Sequence, residues 1–479
     1  MRRSLPALVM MSSLAACGPM APVAMVPISV VEPAPAQPPP PPPPVEPPHH
    51  VEAPRREAGP LPSSPRPFTR PRPTVTALGG GFSLLVVERH ELPLVELRLV
   101  IPAGSQRDPA DRAGLANLTA QALRDGTKTR SHDKLVDDLA LAGGALAIEV
   151  GGDHTVLSTR ALAGQLDGAL AALGDCVAHP AFAQAALDER KKEAIAERVR
   201  DEADPGFRAA RAAAQLLAQS SADPSHKSLE AITRAEVAWF HGTFYRPEGA
   251  QLIVVGDVAP ATIAARVKAA FASWKPTLPA KKVLKLEGIT VGAPPLAIHL
   301  VPAPPSLQTR VVIAWPLPPA SDPGRPALLI ASQALNEALV QHHMRARIDD
   351  DVFVVEQRIY TPELATKLAG LLALIGRLRD GAMSDAELLG AREHLEGEYL
   401  VANDRLDALA RLVEAEHEAG IAPDDADGLR GRIAKVDAAA VKAAAVTHLD
   451  VSASRVVVVG DPVLAASLGG IAPVTVEKE

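Results

Sequence analysis

The sequence predicts an α/β (α+β) protein made of two homologous domains, each a mainly antiparallel sheet packed with helices. Three observations carry this. The run Val254-Val255-Gly256-Asp257 returns as Val458-Val459-Gly460-Asp461, and Asp108-Pro109 returns as Asp322-Pro323, in the same order and about 200 residues apart, as in a duplicated unit. Short β-branched runs alternate with longer segments of helical periodicity from Val75 onward. Aromatic residues make up only 3% of a chain that is 47% hydrophobic, mostly through Ala, Leu and Val, which suits helix-rich architecture.

Taken in order, Phe82 to Glu88 and Leu92 to Ile101 read as strands, and Arg89-His90-Glu91 between them suggests a hairpin. Asp108-Pro109-Ala110-Asp111 leads into an amphipathic helix within Gly114–Thr127, where Leu115, Leu118, Ala122 and Leu123 recur at helical spacing and Gly126 is placed to end it. Ser131 caps a helix through Leu141 that stops at Gly143-Gly144. Leu146 to Val150 and His154 to Arg160 form a second expected hairpin, followed by helices over Leu162–Val177 and Ala183–Glu202 and a buried strand at Ile253–Val255. The second half repeats the scheme. Strands are expected at Arg310–Trp315, Val352–Tyr360 and Val456–Val459, and helices at Pro326–Val340, Thr366–Arg379 and, as one long charged helix, Ser384 to about Arg411. The domains so defined run from 76 to 275 and from 296 to 479, joined by a Pro- and Lys-containing linker at 276–295.

The first 75 residues follow different rules. Arg2 and Arg3 precede a short apolar run, Leu5 to Leu14, too short to cross a bilayer as a mature helix. Leu14-Ala15-Ala16-Cys17 then looks like a lipobox, so residues 1–17 are expected to be a lipoprotein signal peptide with Cys17 lipidated; an ordinary signal peptide with a chance cysteine is the plainer alternative. Gly18 after the cysteine fits sorting to a bacterial outer membrane, facing the periplasm. Residues 18–75 hold the unbroken run Pro38–Pro44 and recurrent proline to Pro73, a composition that favours extended polyproline II and serves as a tether. Cys176 is the only other cysteine and lies in an apolar helical stretch, where a buried structural thiol is expected. A net charge of −7 gives no basic patch, so nucleic acid is not an expected partner.

From residue 75 onward the chain resembles the inverted zincins, the family of pitrilysin, insulinase and the mitochondrial processing peptidases. The resemblance rests on the Gly114–Thr127 helix after a D-P turn, on Gly143-Gly144 followed by Asp153-His154-Thr155, and on the long helix from Phe182 to Arg198. Phe244-Tyr245-Arg246-Pro247 before the LIVVGD strand and Leu335-Asn336-Glu337 in the second half complete it. The resemblance implies two processing-peptidase-like domains and zinc as the family cofactor. Family members carry H-x-x-E-H on the opening helix, two imidazoles for zinc and a carboxylate that polarises water, with a later Glu as third ligand. Carried over residue by residue, those positions are Asn117, Ala120 and Gln121, and Glu197 stands 76 residues beyond Gln121. These are degenerate zinc-site positions: no metal ligand set and no general base remain on the helix, so no catalytic residue and no cofactor is expected. Glu197 reads equally as a solvated charge. No H-E-x-x-H and no C-x-x-C occurs elsewhere.

The family's second half supplies an Arg and a Tyr that hold substrate. Arg345 matches the Arg, but Val352 stands seven residues on, where Tyr is expected, and the preceding Gly-rich loop is shortened to Leu339–His343. A surface Arg paired with the Asp349–Asp351 run is the plainer alternative. Asp153 and His154 resemble the family's edge strand, against which a peptide pairs by β-augmentation. The resemblance therefore implies a non-catalytic, peptide-binding or regulatory subunit, lipid-anchored in the cell envelope and paired as a heterodimer with an active, HxxEH-bearing relative. The alternatives are an active zinc metalloendopeptidase with other ligands, and a structural envelope protein with no peptidase partner.

Overall fold

A computed structural model describes residues 72–217, 223–276, 296–339, 344–349, 351–425 and 428–477. The expectations for the signal peptide with Cys17, for most of the tether, for the linker and for residues 340–343 lie outside the described residues. The described residues all belong to one compact unit, and within it the chain makes two lobes of the same plan.

The first lobe contains strands β1 (Thr74–Gly79), β2 (Phe82–Glu88), β3 (Leu94–Ile101), β4 (Ala147–Val150), β5 (Thr155–Leu162) and β6 (Gln251–Gly256). Its helices are α1 (Leu115–Gln121), α2 (His132–Ala142), α3 (Leu166–Ala178), α4 (Gln184–Ala203), α5 (Pro205–Leu216), α6 (His226–Ala231), α7 (Arg234–Phe244) and α8 (Pro260–Ala270). The second lobe has β7 (Ile298–Pro302), β8 (Gln308–Pro316), β9 (Met344–Asp349), β10 (Val352–Tyr360), β11 (Arg455–Gly460) and β12 (Val474–Val476). Its helices are α9 (Arg325–Leu339), α10 (Leu364–Asp380), α11 (Asp385–Ala402), α12 (Leu406–Glu418), α13 (Gly428–Ala434), α14 (Ala438–His448) and α15 (Ala465–Leu468).

Each lobe holds a six-stranded mixed sheet, in the orders β1-β2-β6-β3-β5-β4 and β12-β7-β11-β8-β10-β9. Five of the six strands correspond one to one, from β2-β6-β3-β5-β4 to β7-β11-β8-β10-β9, with β6 and β11 each closing in the Gly-Asp pair that marks the repeat. The outermost strand differs: β1 comes from the start of its lobe and pairs antiparallel, whereas β12 comes from the end and pairs parallel. The hairpin expected between β2 and β3 does not form. β6 lies between them, parallel to β2 and antiparallel to β3. All three are buried strands, and such strands read alike whether they sit beside each other or one apart. The β4–β5 hairpin forms as expected.

One face of each sheet packs on its own lobe's helices. In the first lobe Val95, Leu97, Leu99 and Ile101 of β3 join Leu115, Leu118 and Ala120 of α1 in the main core, alternating with residues that face the other way. The other face is covered by a helix from the opposite lobe. α5 lays Ala209 and Ala213 on Val312, Ala314, Val457 and Val459 of the second sheet. α12 lays Leu409, Ala410 and Val413 on Leu85, Val87, Ile253 and Val255 of the first. The single helix expected over Ser384–Arg411 is therefore two. α11 ends at Ala402, and Asn403-Asp404-Arg405 redirect the chain across the molecule. At the crossing, Arg89 donates from Nη1 to the carbonyl of Asn403 at 2.7 Å, and Arg455 donates from Nε to the carbonyl of Leu216 at 3.1 Å.

Candidate metal and peptide site

The position of α1 is set by its start. The carboxylate of Asp108 accepts the backbone N–H of Gly114 at 2.8 Å and of Ala116 at 2.7 Å, satisfying donors the first helical turn leaves unpaired. Burial pushes the Asp108 carboxyl up to about 6, against the lowering effect of those N–H groups. Gly114 has φ 95°, and a Cβ there would stand 2.6 Å from Leu229, so glycine is required. At the far end Thr127 Oγ1 and Arg130 Nη1 both donate to Asp175, at 2.5 and 2.6 Å. The helix is thus held at both ends.

Along α1, Leu115, Ala116, Leu118 and Thr119 are buried, and Ala120 is fully buried in the core. Asn117 is exposed and Gln121 half-buried. They lie one turn apart, and Gln121 Nε2 donates to Asn117 Oδ1 at 3.4 Å. At the three positions to which the resemblance carries the zinc residues, the chain offers two amides that meet each other and one methyl group turned inward. Thiolate, imidazole and carboxylate are the donors zinc sites use. Glu197 is on α4, which packs against α1. Its side chain is exposed and makes no hydrogen bond or ion pair among the described residues. The buried charged residue of that helix is its neighbour Arg198, which pairs with Glu202 and Asp223 at 3.0 and 2.6 Å.

Asp153 and His154 are not on the edge strand. They occupy the turn between β4 and β5, and the open edge belongs to β4, Ala147–Val150. The polar pair Asp153-His154 extends the alternating pattern of β5 by two residues in sequence, but Gly151 and Gly152 before it carry the chain through the bend. Asp153 Oδ1 lies 2.6 Å from Nδ1 of His154 and, with nearby Glu418 and Glu414, raises the imidazole's pKa above its ordinary value. Arg345 lies on β9, the edge strand of the second sheet, opposite Glu356 in register, and is exposed. The ion pairs at this edge are made by its neighbour instead: Arg347 meets Glu356 at 2.8 Å, and Arg310 meets the same carboxylate at 2.7 Å. Cys176 is fully buried in the packing of α2 and α3, and burial pushes its thiol up to about 12.

Sequence reasoning missed Glu414 and Glu418. They sit on α12, four residues apart, and one ligand atom each from His154, Glu414 and Glu418 lies within 4.8 Å of the others. The E-x-x-x-E spacing was visible, but nothing in the sequence says that α12 crosses to the first lobe.

Fold and site together define the class: a two-domain shell of the inverted-zincin kind, with an opening helix and an edge hairpin in its first lobe. The chain carries the two domains of peptidase family M16, an insulinase-type domain followed by an inactive-type domain. Residues 84–222 match Insulinase (Peptidase family M16) and residues 231–361 match Peptidase M16 inactive domain. An "Uncharacterized zinc protease" of Rickettsia bellii is 24% identical over 205 residues, 42% of this chain and 50% of that protein, so the match spans about half the length of the curated relative. The peptidase M16 inactive domain from Pseudomonas fluorescens superposes with a TM-score of 0.73 at 20% identity, covering 81% of this chain and 98% of that one. A protease from Helicobacter pylori gives 0.70 at 16%, covering 81% and 100%. The periplasmic protease PqqL from Escherichia coli gives 0.65 at 16%, covering 84% of this chain and 49% of that one. At these identities the structural likenesses speak to fold alone.

Proposed function

We propose that this chain is a catalytically silent M16-fold subunit that binds peptide and pairs with an active, HxxEH-bearing relative, lipid-anchored through Cys17 in the bacterial cell envelope. One observation carries the reading: the position of the family's general base is Ala120, a methyl group with no exposed surface. A side chain so placed can neither polarise water nor move a proton. Asn117 and Gln121 bring amides where the family brings imidazoles. The donors on α1 therefore do not fit the family's zinc ion, and no catalytic step is derived through it.

Peptide binding is the part of the family's function that this shell can retain. β4 is a short edge strand, with no strand beyond it among the described residues, the geometry of strand addition. Asp153 and His154 at its turn, and Arg345 on the opposite lobe's edge strand, are the polar groups proposed to meet such a segment. The partner supplies the zinc and the base.

Co-expression with an HxxEH relative from the same cell tests this. The reading expects a 1:1 complex on size exclusion and a change of at least several-fold in the relative's kcat/KM on peptide. Unchanged activity together with no complex sinks the regulatory reading and leaves the structural alternative.

A further inference from the structure

We propose that His154, Glu414 and Glu418 form a binding site for a divalent cation of the zinc class, one that joins the two lobes and is separate from α1. It does not depend on the function proposed above. The site draws on two elements distant in sequence: the turn of the first lobe's edge hairpin, and the C-terminal half of α12, which the second lobe lays over the first sheet.

The donor set is one imidazole and two carboxylates, three ligands of the types zinc takes, leaving a position for water. Glu414 and Glu418, four residues apart on a helix, share a face. The observation that points to a ligand is the state of Glu414. Its side chain is 9% exposed and its Oε2 is held by the guanidinium of Arg98. Its Oε1 is buried and has no hydrogen-bond partner among the described residues. A buried carboxylate oxygen left unpaired is unfavourable, and a cation relieves it. Arg98 can keep its hold on one oxygen while the other turns to the metal.

His154 is prepared in the same way. Asp153 takes the N–H at Nδ1, with a contact of 2.6 Å, which fixes the tautomer that leaves a lone pair on Nε2. A carboxylate behind a ligating imidazole is the usual outer support of a zinc ligand. Ligands about 2.1 Å from zinc stand roughly 3.4 Å apart in a tetrahedral site. The present limit of 4.8 Å therefore closes by up to about 1.4 Å as the ion enters. Glu414 is anchored by Arg98, so the movement falls first to His154 in its turn. The bound ion clamps α12 to the turn beside β4, and so ties the edge proposed for peptide binding to the opposite lobe.

The test uses the full chain, stripped with chelator and titrated with Zn2+ by calorimetry and thermal melting, and with Co2+ by visible absorption. Wild type is expected to bind Zn2+ with a rise in Tm, and Co2+ with a ligand-field band. His154→Ala and Glu418→Gln should each weaken Zn2+ binding ten-fold or more and remove both the Tm rise and the band. Neither side chain is in the core, so matched circular dichroism spectra establish that the loss is not unfolding. The double variant Asn117→Ala/Gln121→Ala should bind as wild type does. The proposal is overturned if wild type gains neither metal nor Tm, if both site variants bind as wild type does, or if the loss follows the α1 double variant instead.

Discussion

Arg98 on β3 holds Glu414 on α12 through its Nε, and the two side chains are only 8% and 9% exposed although one belongs to each lobe. Arg98 also reaches Glu149 at 3.2 Å, and Arg411 meets Glu149 at 2.9 Å, so the charges form a small network across the lobes. Removing one partner of a buried pair leaves the other charge without compensation, at about 3–5 kcal/mol. Arg98→Met, in chelator, should lose about that much stability in urea denaturation. The double variant Arg98→Leu/Glu414→Leu should recover most of the loss, because the charge and its desolvation leave together.

α12 is held by packing as well. Leu409 is 1% exposed and lies on Leu85, Val87, Ile253 and Val255. Leu409→Ala should cost about 2–5 kcal/mol, the usual range for a buried leucine truncated to a cavity. Leu389, 53% exposed on α11, is the control: its replacement by Ala should stay within about 0.5 kcal/mol.

Asp108 anchors α1 with two backbone hydrogen bonds. Asp108→Ala leaves both N–H groups unpaired and should destabilise by about 1–2 kcal/mol, with amide exchange in α1 accelerating before that of the sheets. Asp108→Asn keeps one acceptor oxygen and should lose about half as much.

His241 supplies a pH dependence of known sign. Its Nε2 donates to the carbonyl of Val177 at 2.9 Å, and burial pushes its pKa down to about 4, aided by the charge of Lys128. The folded pKa lies below the unfolded value, so the unfolded state binds the extra proton between the two. Stability from this group is present above pH 6.5 and is lost as the pH falls toward about 4. The loss is about 3 kcal/mol at its fullest. His241→Gln, which keeps an N–H for Val177 and does not titrate, should flatten that part of the pH profile.

The doubled architecture was legible because Gly256-Asp257 and Gly460-Asp461 close equivalent buried strands, and the long charged helix α4 was legible to within a residue at each end. The opening helix was legible because Leu115, Leu118, Ala122 and Leu123 recur at helical spacing and Gly126, at φ 106°, stands at its end. Strand order was not. β2 and β6 are apolar on both faces, β3 is apolar on one and carries Glu96 and Arg98 on the other, and periodicity does not say which neighbours which. The crossings of α5 and α12 were not either, since an amphipathic helix shows that it has a partner and not whose sheet that partner is. That gap hid Glu414 and Glu418 from any sequence search for ligands to accompany His154.

The most direct test of the central claim is peptide hydrolysis by the purified full chain alone, supplied with Zn2+ and compared with the same chain in chelator, using a mixed-sequence fluorogenic peptide library. An M16 shell with Asn117, Ala120 and Gln121 on its opening helix predicts no turnover above the chelated blank. Turnover that appears with Zn2+, disappears with chelator and survives in every purified fraction of the chain would contradict it.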